Sequence, residues 1–211
     1  MGSIGKWFPP LCGVIAVVLG VVVTILIGQG QDATKKTAEE IVNHYKDNDT
    51  KETIGALMIG FAGVFTLYFS GWLRRVLRDA EGPDGILSSV VFGAGVVFAT
   101  GAAIGGSIHL ALPDLADDIS PIALQAINGI DFDMFMFFPV GLGTLALASG
   151  ISIVRHGAFA KWVGWFGIVA GLLFFTPGFF VAFVLVPLWI LIVSVIGISR
   201  AGAGGAAPAT A

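Results

Sequence analysis

The chain has 211 residues, of which 56% are hydrophobic and only 12% charged, with a formal net charge of −3. A soluble domain carries about 25% charged residues, and a mean hydropathy of +0.92 leaves too little polar surface to face water. A soluble enzyme, a nucleic-acid binder and a disordered chain are all excluded, and the reading is an integral membrane protein. Cys12 is the only cysteine, so there is neither an intrachain disulfide nor a Cys-x-x-Cys metal framework.

The hydrocarbon core of a bilayer is about 30 Å thick and needs about 20 helical residues to cross it. The first apolar run is Leu11 to Ile27. Lys6 before it and Gly28-Gln29-Gly30 after it have the outline of a cleaved signal peptide. The run is longer than an ordinary signal core, which favours a retained span. Next comes a polar loop in which Ala38, Ile41, Val42 and Tyr45 recur at helical spacing. That pattern predicts a short amphipathic helix over about 33–46, lying across the outer ends of the spans. Thr37-x-x-Glu40 is a candidate capping box, with Asp32 as a candidate cap for an earlier start. Asn48-Asp49-Thr50 matches the N-glycosylation pattern.

The second span is Thr53 to Leu73 and the third is Ile86 to Leu112, separated by the tight turn Glu81-Gly82-Pro83-Asp84-Gly85. Small residues from Ala99 to Ser107 include Gly101 and Gly105 in Gly-x-x-x-Gly spacing. Such a face packs within the chain or forms a homodimer seam. The loop Pro113 to Asp131 follows, with Ile122 to Ile127 as a candidate interfacial helix. The fourth span is Phe132 to Val154. From Trp162 to Ser199 there are 38 residues without a charge, about 57 Å of helix. This stretch must fold back, and Thr176-Pro177-Gly178 is the natural turn. That gives a fifth span over 159–176 and a sixth over 179–199. Pro139 and Pro187 are candidate kinks in the fourth and sixth. Two outward-to-inward stretches, 66–71 and 144–150, share a faint Thr-Leu…Ser-Gly pattern, a weak sign of a parallel repeat. The tail 201–211 is small-residue low complexity and is expected to be disordered. The fold class is thus an all-α polytopic transmembrane bundle, a single domain over 1–200 with six spans.

Basic residues orient it. One side carries Lys6, Arg74, Arg75, Arg78, Arg155, Lys161 and Arg200, every arginine in the chain, against Asp79, Glu81 and Asp84. The other side has four lysines and eleven acids. Both termini are therefore expected in the cytoplasm, the acidic side outside and the membrane to be the plasma membrane. Trp7, Trp72, Trp162 and Trp165 fall near the basic interface, as ring belts do.

The stretch Gly157-Ala158-Phe159-Ala160-Lys161-Trp162-Val163-Gly164-Trp165-Phe166-Gly167, with an arginine-ended second span and an outer helix, resembles a group of bacterial, often actinobacterial, six-span membrane proteins of unknown function. The similarity runs from Leu11 to Pro177. Ala160 stands where that group often has proline, and Val163 where it has leucine. The resemblance implies architecture and no activity.

Candidate chemistry gathers on the acidic side. His109 lies in the last turn of the third span, followed by Asp114, Asp117 and Asp118, then Asp131 and Asp133 at the start of the fourth. His44, Glu39 and Glu40 are within reach. Carboxylates with imidazole can hold a divalent cation or draw cations to a pore mouth. The plainer reading makes Asp131 and Asp133 caps at a helix N-terminus and the other acids a solvated loop. His156, beside Arg155, reads as interfacial. No charge falls at the middle of a span, which argues against an ion-motive pump. No His-Glu-x-x-His pair, Gly-x-Ser-x-Gly elbow or Walker loop occurs, so no enzyme, cofactor or metal requirement is expected. Three functions stay open. They are a small regulatory or scaffolding membrane subunit with a protein partner or a second copy, a passive channel or solute carrier gated by the outer helix, and an outer-face metal or ligand sensor.

Overall fold

A computed structural model describes residues 4–27 and 34–203. Gly28-Gln29-Gly30, Asp32 and 204–211 lie outside the described residues. Those described form helices, with no strand among them. In chain order the α-helices are α1 (Ile4–Ile27), α2 (Ala38–Glu81), α3 (Leu87–Leu115), α4 (Pro121–Asp133), α5 (Thr144–His156), α6 (Lys161–Leu173) and α7 (Phe179–Ala203). A short π-helical stretch, Phe138–Gly143, leads into α5.

Five stretches are long and apolar enough to cross a membrane, counting 121–156 as one. Their flanks agree with that role. On α2, Ile54, Leu57, Phe61, Val64 and Tyr68 are exposed at alternating spacings of three and four, a continuous exposed apolar stripe. The opposite face packs. Gly63 lies against Ala99 and Ala102, and Gly106 approaches the backbone of Ala56, so α2 and α3 run antiparallel at close range. Gly150 approaches Gly164 between α5 and α6, and Gly143, the last residue of the π stretch, approaches Gly171 of α6. The Gly101–Gly105 face is taken up inside the chain, since a Cβ at Gly101 would run into Phe137. Between α6 and α7, Trp189 is fully buried and its indole N–H donates to the Val163 carbonyl at 2.9 Å.

Several expected boundaries move. The amphipathic face and the second span are not separate elements: α2 is one helix of 44 residues, about 66 Å long. Nothing between Tyr45 and Thr53 breaks it, as that polar stretch holds neither glycine nor proline. Asn48 is therefore helical and bonds the His44 carbonyl at 3.0 Å, rather than sitting in an open glycosylation loop. The expected fourth span is interrupted. α4 ends at Asp133, and Pro139, which has no N–H to donate, stands at the head of the π stretch. Asp131 and Asp133 thus close a helix instead of opening one. The first helix starts at Ile4, the third continues through Pro113 to Leu115, and the last extends to Ala203. In place of a full fifth span, α6 has 13 residues, about 20 Å. The turn at Thr176-Pro177-Gly178 does separate it from α7.

All the arginines gather at one end, here the basic end. There Gly82, at φ 79°, closes α2, and Arg78 donates to the carbonyls of Pro83 and Gly85. The Glu81 carboxylate, past the last arginine of α2, accepts from the Ser88 N–H and the Ser152 hydroxyl. Burial works to raise the Glu81 carboxyl, but these bonds outweigh it and hold it below the usual carboxylate range. The opposite, acidic end has its own small core of Ile41, Val42, Tyr45, Leu112, Ala116 and Leu124. It binds the first turns of α2 to the end of α3 and to α4.

Candidate functional site

The acidic-end core is assembled by local sequence signals. Thr37 caps α2: its hydroxyl accepts from the Glu40 N–H at 3.3 Å, and the Glu40 carboxylate accepts from the Thr37 N–H at 2.8 Å. Those bonds, the backbone one foremost, hold the Glu40 carboxyl below its usual range. Ser120 caps α4, with Pro121 in its first turn. The Gln125 amide bonds the Lys36 carbonyl at 3.0 Å, and Lys46 pairs with Asp117 at 2.5 Å. The predicted apolar face of Ile41, Val42 and Tyr45 is buried against α3 and α4.

Within this core lies a chain of ionisable side chains. His109 of α3 is 4% exposed and Glu52 of α2 is 2% exposed. The His109 Nε2 is 2.8 Å from Glu52 Oε2, and its Nδ1 is 2.8 Å from Asp131 Oδ2 on α4. The other Glu52 oxygen is 2.7 Å from His44 Nε2. Beside it the Tyr45 hydroxyl donates to Asn128 Oδ1 at 2.7 Å, and the Tyr45 ring stands edge-on to both imidazoles. The order is His44–Glu52–His109–Asp131, with half-buried groups at its two ends and the most buried groups in the middle.

Both ring nitrogens of His109 face carboxylate oxygens. A neutral imidazole has one N–H and one lone pair, so it can satisfy only one of them. The Glu52–His109–Asp131 trio therefore holds one shared proton beyond a neutral ring and two carboxylates. Helix polarity adds to this. Asp131 stands in the last turn of α4, where the dipole is negative and a carboxylate is disfavoured without a cation beside it. His109 supplies that cation.

Of the residues singled out from sequence, the structure brings together His109, Asp131 and His44. Asp114, Asp118 and Asp133 are exposed, and Asp117 is exposed and paired with Lys46. Glu39 is exposed, and Glu40 serves the cap. Among the described residues, no group of three or more His, Cys, Asp and Glu side chains is arranged to hold a metal ion. Sequence reasoning missed Glu52, Tyr45 and Asn128 as polar partners. The available signal was register: Glu52 lies seven residues beyond Tyr45, which carries the amphipathic face one step further along the same helix.

No family model matches the chain, and neither a curated protein nor a solved structure is similar to it.

Proposed function

We propose that the protein is a small regulatory subunit of the membrane, whose acidic end is a proton-dependent latch. The observation that carries this reading is His109, buried between Glu52 and Asp131 at 2.8 Å each. Ionisable groups buried in an apolar helical bundle are costly and are kept for function. These three come from three helices, so the shared proton ties α2, α3 and α4 together. When it leaves, two carboxylates face each other across a neutral ring, and α4 loses its main polar tie. The stabilisation is present at low pH and is lost as pH rises past the point where the proton departs. Besides His109, the charged and titratable groups at the latch are Glu52, His44 and Tyr45 from α2 and Asp131 from α4. Because α4 leads through 134–137 into the π stretch, its release reaches the bundle core.

The fuller topology belongs to the same reading. The short α6 and the turn after it make a sixth crossing, and both chain ends share the cytoplasmic face of the plasma membrane. The gathering of every arginine at one end supports this. A regulatory role gains over the gated channel because the expected lid is continuous with a spanning helix and has no hinge.

The test is purification in mild detergent with cross-linking mass spectrometry at about pH 7 and about pH 10, values on either side of proton loss from an imidazole held between two carboxylates. A stoichiometric membrane partner, or a second copy, is expected at one pH and depleted at the other. His109→Gln should abolish the difference. A lone monomer at both values, or a complex indifferent to pH, would overturn the proposal.

A further inference from the structure

At the basic end, away from the latch, a cleft of about 960 Å³ opens between α1, α2 and α7. Lys6, Arg75 and Arg200 line it, and all three are exposed. Arg200 is held in place: its guanidinium donates to the Ala158 carbonyl at 2.9 Å and lies 4.7 Å over the Phe159 ring. Among the described residues, neither Lys6 nor Arg75 forms an ion pair. The single acid in the lining is Asp79. Three cations against one carboxylate leave a net positive mouth that favours an anionic group.

The cleft continues past its charged mouth. Along α2 the lining runs from Arg75 through Trp72, Tyr68 and Leu67 to Val64. The eleven helical steps from Arg75 to Val64 measure about 16 Å, about half of a hydrocarbon core of ~30 Å. A free phosphate has no use for such a wall, whereas an acyl chain in one leaflet matches its length and its apolar lining. Trp72 and Tyr68 stand where amphipathic rings meet headgroups.

We propose that this cleft binds an anionic diacyl phospholipid. Its phosphodiester sits among Lys6, Arg75 and Arg200, and one acyl chain lies along α2 from Trp72 to Val64. Asp79 at the mouth accepts a hydrogen bond from a headgroup hydroxyl. The site shares no residue with the latch at the other end.

The full chain would be reconstituted with equal amounts of phosphatidylglycerol and phosphatidylcholine and transferred to native mass spectrometry in mild detergent. Retained phosphatidylglycerol is expected to exceed phosphatidylcholine and to fall roughly fivefold for each cation neutralised. The variants are Arg75→Gln alone and Lys6→Gln, Arg75→Gln and Arg200→Gln together. Lys161→Gln, at the same end but outside the cleft, should change nothing. If the triple variant does not fold, the single Arg75→Gln decides. Brominated phosphatidylglycerol should quench an emission component that Trp72→Phe removes. Equal retention of the two lipids, or retention unaffected by Arg75→Gln, would overturn the proposal. So would displacement of the lipid by soluble glycerophosphoglycerol, which would make the cleft a free-anion site.

Discussion

His109 is fixed by charge on both of its nitrogens, and that makes it the least replaceable side chain at the acidic end. Truncating it leaves Glu52 and Asp131 facing a void without their cation. Removing one partner of a buried charge pair costs about 3–5 kcal/mol, so His109→Ala should lower thermal stability by that order in a detergent melt. Glu52→Gln combined with His109→Gln should cost less than the two single losses added, because the double change leaves fewer unpaired charges. Simple additivity would show that the contacts are not energetically coupled. At this scale the sequence was half legible. His109 and Asp131 stood out as an imidazole and a carboxylate near the ends of apolar runs. Glu52 did not, because it sits in a stretch, Lys46 to Glu52, whose composition is that of a solvated loop. Composition reports how polar a segment is; which of its side chains turns inward depends on helical register and on the neighbour waiting there.

The elements teach the same distinction. The capping box at Thr37 and Glu40 was readable because it is a local pattern, and so was the turn at Pro177. The continuity of α2 was not, since a polar run between two helical patterns reads as a break although no residue in it breaks a helix. The polarity of α4 was misread for the opposite reason. Asp131 and Asp133 precede an apolar run, as caps do, but the proline at position 139 delays that run and gives the acids to the helix before it. The cap itself offers a test. Thr37→Ala should cost about 1 kcal/mol, felt as faster amide exchange in the first turns of α2 and a weaker hold on α4. Unchanged exchange over 38–42 would mean that the acidic-end core alone fixes the start of the helix.

For the molecule as a whole, charge asymmetry was the most legible feature. Lys6, Lys161 and every arginine meet at one end, and the latch residues lie at the other. The native chain has one cysteine, buried Cys12, which makes the topology directly measurable. In a Cys12→Ala background, Asp47→Cys and His156→Cys should react with a membrane-impermeant maleimide from opposite sides of sealed vesicles. Labelling from the same side would refute the arrangement. The span count was less legible, because hydropathy sums apolar residues without seeing where a helix ends, and α6 contributes only 13 helical residues to the crossing assigned to it.

The unbroken length of α2 has a mechanical consequence. It is a stiff lever that carries Glu52 toward one end and Arg75 toward the other. A tilt of about 5° about one tip of a rod some 66 Å long swings the other tip by about 6 Å. Lipid seated at the basic end and a proton held at the acidic end therefore act on the same beam, and neither can reorient it without the other registering the load.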